Sequence, residues 1–332
     1  MRSTVLSFLL LVTSYCVVDA IVIDGKPARP VTTYSIIAHD PDTGQLGVAV
    51  QSHWFSVGTA VPWVEAGVGA VATQSLTEVS YGPLGLDLIR SGKTAEQALR
   101  GLIEMDENPQ WRQVGMIDVH GNRAVHTGNK CIREAGHVAG ENFICMANLM
   151  EKDTVWQAMA DAFRHATGDL AERMLAALDA AQDEGGDIRG RQSAAIVVVT
   201  GDPTGLPYQD RIVDLRVEDS PNPLRELRRL LTISRAYKYM NQGDERLAEQ
   251  DEAGALAAYR TAMELAPQIT EIQFWVALTL FTNGQEEEAL GNFRQVFAKD
   301  PNWVEVIKRL PFADLLDNDE GQVLKILGVA QE

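Results

Sequence analysis

The chain has 332 residues, 45% of them hydrophobic, with a formal net charge of −17 and a pI near 4.8. That is enough apolar material for one large core or two moderate domains. The acidic balance excludes a surface that grips a nucleic-acid backbone, and no basic run with interleaved aromatics occurs.

The first twenty residues, MRSTVLSFLLLVTSYCVVDA, read as an export signal. Arg2 supplies the positive start, Val5 to Val12 form an apolar core too short to span a bilayer, and Val18 and Ala20 are small residues before a cut. Cys16 follows Ser14-Tyr15, which does not fit a lipoprotein site. The segmentation predicts a signal peptide over 1–20, a weakly packed leader over 21–32 and a secreted or periplasmic protein. No later stretch is long and apolar enough for a membrane span. Two cysteines then remain, Cys131 and Cys145. In an exported chain they predict a disulfide, worth about 3 kcal/mol for so short a loop, with two buried thiols on adjacent strands as the alternative. Neither has a histidine partner in sequence that would make it a nucleophile.

From Thr33 onward the pattern is strands, helices, strands, helices, strands. TYSIIA and LGVAVQS are β-branched and apolar, separated by the turn residues DPDTG. GVGAVATQ gives a third strand. YGPLGLDLIRSG and TAEQALRGLIEM read as helices, the second with Thr94 as N-cap and Gln97 completing a capping box. VGMIDVHGNRAVHTG is a hairpin turning at Gly121-Asn122, and ENFICMANLM is a further strand. DTVWQAMADAFRHA and DLAERMLAALDAAQ are amphipathic helices, and SAAIVVVTG and RIVDLRV close the set. Elements segregated in blocks predict an α+β fold with helices outside and sheets inside, not a doubly wound parallel sheet.

After DSPNPLRELRRLL the pattern is purely helical. EAGALAAYRTAMELAP and EEEALGNFRQVFAKDP align at a period of 34, pairing Ala255 with Ala289, Leu256 with Leu290 and Tyr259 with Phe293. Gly243 and Ala277 fill the small-residue position of the helix before each. The period and pattern resemble the tetratricopeptide repeat, whose stacked helix pairs bind partners or pack on their own chain. The division expected is an α+β domain over 33–220 and a helical repeat domain over 221–332, with a separable helical unit from near Ser234 and a protein partner for the repeats.

The chain has no H-E-x-x-H, C-x-x-C or P-loop, and GVGAV has two of three dinucleotide glycines without the strand-turn-helix setting. GRQSAAIVV lacks the second glycine of a nucleophile elbow. The six histidines, at 39, 53, 120, 126, 137 and 165, show no metal-ligand spacing, so neither metal nor cofactor is expected. What remains is the opening VTTYSIIA. A threonine hydroxyl is a poor nucleophile without a base. At a chain terminus its own α-amine, ordinarily near pKa 7.7–8.0, accepts the proton. A threonine heading the first strand behind a removable segment has that arrangement. The candidate nucleophile is Thr33, with Thr32 as competitor.

TTYSIIAHDPDTGQLGVAV, GVGAVATQS, SYGPLGLDLI, GGDIRGRQSAAIVVV and RIVDLRVEDSPNPLRELRRLL together resemble the family called domain of unknown function 1028, over roughly Thr33 to Leu231. That family is grouped with the N-terminal-nucleophile (Ntn) hydrolases. The resemblance implies a four-layer αββα sandwich followed here by the helical repeats, and hydrolysis of a small amide or peptide with Thr33 as nucleophile. One departure is plain: residues 21–32 stand between the signal cut and Thr33, so either a second cleavage occurs, or the signal cut lies later, or the site is not catalytic in the Ntn manner. Around Thr33, Ser52 and His53 close the second strand, Gln74 ends the third, and Asn148 follows a strand as a candidate oxyanion donor. Gln192 and Ser193 begin a strand after a turn whose Asp187, Arg189 and Arg191 pair or grip a carboxylate. The rival readings are a non-catalytic binding or scaffold protein that uses the sandwich and the repeats for recognition, and, further off, a structural subunit of a surface appendage.

Overall fold

The computed structural model describes residues 22–23, 26–27, 31–316 and 320–330. The expected signal peptide and half of the expected leader lie outside the described residues. Two short strands, β1 (Val22–Ile23) and β2 (Lys26–Pro27), pair with each other ahead of the main fold. The opening hairpin is β3 (Thr33–His39) and β4 (Leu46–Ser52), turning through Gly44 at φ 69°. Next come β5 (Pro62–Glu65), β6 (Gly69–Ser75), α1 (Tyr81–Arg90) and α2 (Ala95–Met105). The capping box forms as written: the Gln97 N–H donates to Thr94 Oγ1 and the Thr94 N–H to Gln97 Oε1. β7 (Arg112–Asp118) and β8 (Arg123–Thr127) make the second hairpin, β9 (Gly136–Ala139) and β10 (Phe143–Ala147) the third. Helices α3 (Val155–His165) and α4 (Leu170–Asp183) precede β11 (Ser193–Val199) and β12 (Arg211–Val217). Strands β5 and β9 are additions to the sequence reading. Both are four residues long and only partly buried, and β5 starts with Pro62, so neither has a clear apolar alternation.

The strands form two antiparallel sheets, ordered β12-β11-β4-β3-β10-β9 and β5-β6-β7-β8. Strand parity assigns the faces. Tyr34, Ile36 and Ala38 of β3 turn to one side, where they pack with Met159 and Phe163 of α3 and Met174 and Leu178 of α4. Ile37, with Val48 and Val50 of β4, turns to the other side and meets Ala70, Ala72 and Ile117 of the second sheet. The far face of that sheet, through Val71, Val114 and Met116, packs on Tyr81, Leu86 and Leu99 of α1 and α2. The sheets approach closely at Gly115, where a Cβ would come within 2.8 Å of Ile37 Cδ1.

The remainder is helical: α5 (Pro223–Ala248), α6 (Glu252–Leu265), α7 (Thr270–Thr282), α8 (Glu286–Lys299), α9 (Asn302–Arg309) and α10 (Glu320–Gly328). Helix α5 packs along α6, and α7 along α8, around a core that includes Tyr259, Phe274, Ala277 and Phe293. The Tyr259 ring lies directly on Gly243, where a Cβ would meet it at 2.2 Å. The rings of Phe274 and Phe293 meet edge to face at 5.8 Å. Pro223 sits in the first turn of α5, where its missing N–H costs nothing. This helix runs unbroken for 26 residues. Its first half gives Leu224, Leu227 and Leu231 to the core beside α4, and its second half gives Ala236, Tyr237 and Met240 to the helical core. Arg228 and Arg235 of α5 pair with Glu172, and with Asp179 and Asp169 respectively, of α4 and its cap.

Candidate functional site

The parity that turns Ile37 between the sheets also turns Thr33 and Ser35 there. On β4 it places Ser52 beside Val50 and Val48, on β6 Gln74 beside Ala72, on β7 Gln113 beside Gly115 and Ile117. One end of the space between the sheets is therefore polar. Thr32, Thr33, Ser35, Ser52, Gln74, Gln113 and Asn148 are all fully buried there. Buried polar groups of this kind persist mostly when bonded, and each of these side chains makes at least one hydrogen bond. Ser35 Oγ donates to Gln74 Oε1 at 2.6 Å, and Gln74 Nε2 donates to Gln113 Oε1 at 2.7 Å and to the Thr33 carbonyl at 3.2 Å. Gln113 Nε2 donates to the carbonyls of Ala147 at 2.9 Å and Gly136 at 3.2 Å and to Thr127 Oγ1 at 3.0 Å. Asn148 Nδ2 donates to Gln113 Oε1 at 2.9 Å, and the Asn148 N–H to the Thr33 carbonyl at 3.1 Å.

Thr33 is the first residue of β3, an interior strand of its sheet, and faces Ser52 across β4. Its hydroxyl donates to the Val31 carbonyl at 3.0 Å, folding the side chain back along Thr32. The Thr32 carbonyl accepts from Ser52 Oγ and from Arg189 Nη2, the latter at 3.1 Å. Arg189 is fixed by Asp187, through Nε at 3.1 Å and Nη2 at 2.8 Å. The Asp187 side chain is wholly buried and also accepts from the His53 N–H at 3.1 Å and Thr32 Oγ1 at 3.4 Å. Val31 exchanges both backbone bonds with Ser75, at 2.6 and 2.9 Å. The end of the expected leader is thus tightly held rather than weakly packed. Val31 and Thr32 continue the direction of β3, and their peptide groups find partners in both sheets.

Of the residues singled out from sequence, Ser52, Gln74 and Asn148 surround Thr33, and His53 joins through its backbone. Gln192 stands apart. Its N–H donates to the Ser52 carbonyl at 3.2 Å, but its half-buried side chain turns to the rim and donates to Asp219 at 3.1 Å. Gln113, which links Gln74 to Asn148, and Ser35 were not anticipated. A signal existed: in RQVGMID, Gln113 shares parity with Ile117, so it had to be a buried amide needing several partners.

The expected Cys131–Cys145 disulfide is not formed, and both cysteines are free and buried. The correction has a simple cause. Cys145, at the centre of β10, faces the helix-covered core with Tyr34 and Met159, whereas Cys131 lies on a loop with its thiol against the Arg112 carbonyl at the start of β7. Burial pushes both thiols above their ordinary pKa. Thiol reagents are expected to modify neither cysteine in the native protein at neutral pH and both after denaturation without reductant, read by intact mass. A single unreactive pair after denaturation would restore the disulfide.

The model of a protein family described as a family of unknown function (DUF1028) matches residues 33–227, from the first residue of β3 into α5. The chain is a DUF1028 protein. A crystal structure of a DUF1028-family protein from Silicibacter pomeroyi is similar to it, with 31% identity and a TM-score of 0.54 over 60% of this chain and 84% of the other. No curated protein matches. The family match begins at Thr33 itself and takes in every residue of the polar end described above except Val31 and Thr32. Among the described residues of this DUF1028 protein, no helix is long and apolar enough to cross a membrane, and no cluster of three or more His, Cys, Asp or Glu is placed to hold a metal.

Proposed function

We propose that this DUF1028 protein is an exported Ntn-type amide hydrolase that exposes its own nucleophile by cutting the bond between Thr32 and Thr33. The observation that carries the reading is the Thr32 carbonyl, whose oxygen takes hydrogen bonds from Ser52 Oγ and the cationic Arg189 Nη2. This is the carbonyl on which charge develops when the Thr33 hydroxyl attacks the preceding peptide, and donors already aimed at such an oxygen lower the barrier. In the cut, the Thr33 Oγ–C bond to Thr32 forms, the Thr32–Thr33 C–N bond breaks and the hydroxyl proton passes to the Thr33 nitrogen. Water then hydrolyses the ester, releasing the Thr32 carboxylate and restoring the hydroxyl. Thr33 is left with a free amine that serves as base in turnover. The substrate is a small amide or peptide bound where Val31 and Thr32 had lain, with its scissile carbonyl against Ser52 and Arg189.

The arrangement of helices on the outer faces of two facing sheets supports a four-layer αββα, Ntn-like sandwich. Tyr259 on Gly243, and Phe293 one period later in one buried cluster with Ala277, support tetratricopeptide-like repeats that take a protein partner. A second reading, a non-catalytic scaffold, is favoured by the complete burial of Thr33 and the pairing of Val31 with Ser75. Intact mass and N-terminal sequencing of protein exported by its native host separate the two. A terminus at Thr33 is expected, and fully active protein that begins at Ile21 would exclude the self-cleaving hydrolase.

A further inference from the structure

We propose that the side-chain oxygen of Asn148 holds the α-amine of Thr33, and that Gln113 is the positioning residue that keeps this oxygen turned towards it. The inference rests on the self-cleavage reading above. In the β10–β3 pairing Met146 faces Ser35 and Ala147 faces Tyr34, so the next pair is Asn148 with Thr33, joined by the 3.1 Å bond from the Asn148 N–H to the Thr33 carbonyl. Both side chains lie between the sheets, and residues opposite one another on one face have Cβ atoms about 4.5–5.5 Å apart. In an antiparallel strand the N–H and C=O of a residue point to the same side. The Thr33 nitrogen therefore lies on the Asn148 side, as its carbonyl does.

The orientation of the Asn148 amide follows from the bonds around Gln113. Gln113 Nε2 faces the carbonyls of Ala147 and Gly136, which can only accept. Gln113 Oε1 therefore points the other way and must receive, which it does from Gln74 Nε2 and Asn148 Nδ2. A flip of Asn148 would set oxygen against oxygen. Its Oδ1 is thus held away from Gln113, buried, and has no hydrogen-bond partner among the described residues. An orphaned buried acceptor is destabilising until a donor arrives. Cleavage supplies one, since the Thr33 nitrogen gains hydrogens when its peptide bond is cut. Asn148 Nδ2 gives one of its two hydrogens to Gln113 Oε1, and the donors already bonded to the Thr32 carbonyl are Ser52 Oγ and Arg189 Nη2.

The test is the titration of the Thr33 amine in the mature full-length protein. Competitive acetylation with acetic anhydride is followed across pH by mass spectrometry of the N-terminal peptide. In Asn148→Asp a carboxylate takes the place of the amide and stabilises the ammonium, so the amine is expected to titrate about one to three pH units higher than in the wild type. In Asn148→Leu the acceptor is gone and the amine should titrate lower. A Thr33 terminus that forms normally but titrates as in the wild type in both variants overturns the role of Asn148 and leaves self-cleavage standing. Absence of any Thr33 terminus in wild-type protein overturns both. If neither Asn148 variant matures, Gln113→Leu decides: its freed Asn148 amide can present its NH2 end, so a lowered amine pKa supports the assignment and an unchanged one overturns it.

Discussion

Thr33→Ala leaves the chain uncut, with an intact mass retaining every residue upstream of position 33 after signal removal, and without amide hydrolysis. The expected effect is total because the substitution removes the attacking atom. The fold should survive. The lost hydroxyl makes one bond, to the Val31 carbonyl, and such a bond contributes about 0.5–1.5 kcal/mol net. Thr33→Ser keeps hydroxyl and nitrogen and should still cut. Ser52→Ala keeps the nucleophile but removes one donor from the Thr32 carbonyl, so the cut should slow by about 100- to 1000-fold. The three time courses, followed by mass alongside circular dichroism, distinguish chemistry from folding. Cutting in Thr33→Ala at the wild-type rate would show that an external protease, not Thr33, makes the terminus.

The second large effect concerns where the chain can be ended. A protein stopped after Ser220, at the boundary that the prolines of DSPNP suggest, loses all of α5. It then leaves the α4 side of the core without Leu224, Leu227 and Leu231, which are at most 8% exposed. Truncating one buried leucine to alanine costs about 2–5 kcal/mol, and a whole domain is stable by only about 5–15 kcal/mol. The chain ending at Ser220 is therefore expected to be unfolded or insoluble. One ending after Ser234 keeps the three leucines and Arg228 and should melt cooperatively. Equal melting temperatures for the two would show that α5 adds nothing to the α/β core.

The contrast between those two stops shows what the sequence could and could not supply. Composition changes at DSPNP, and the eye places a boundary there. Yet the apolar stripe of LRELRRLL belongs to the core before it, because packing partners are chosen in space and α4 lies about forty residues earlier. Strand identity for TYSIIA, LGVAVQS and RIVDLRV was legible because β-branched runs bounded by turn residues have few alternatives. The 34-residue match of Tyr259 with Phe293 is a spacing read from sequence; in the structure Tyr259 packs over Gly243, and Phe293 lies in one buried cluster with Ala277. The site was legible in part. Thr33, Ser52, Gln74 and Asn148 stand at strand ends, where polar residues attract notice. Gln113 stands inside a strand whose inward face was unknown until its pairing was. The disulfide failed for a related reason, since two cysteines fourteen residues apart, one on β10 and one on the connection from β8 to β9, can face different layers, and sequence separation does not record which way a side chain turns.

The order of strands in the larger sheet has a consequence in time. β3 and β4 leave the ribosome, or the export channel, long before β10 and β11, which flank them on either side. Until residues 143–147 and 193–199 arrive, the hairpin has two open edges, and closing it requires contacts distant in sequence, the slow kind to form. Arg189 and Asp187 lie on the segment just before β11, and Asn148 just after β10. The grip on the Thr32 carbonyl therefore waits for the segment that leads into β11. A chain that cuts itself at Thr33 would do so only once both flanks of the hairpin are covered, so release of the leader would act as a clock that keeps chains lacking those strands silent.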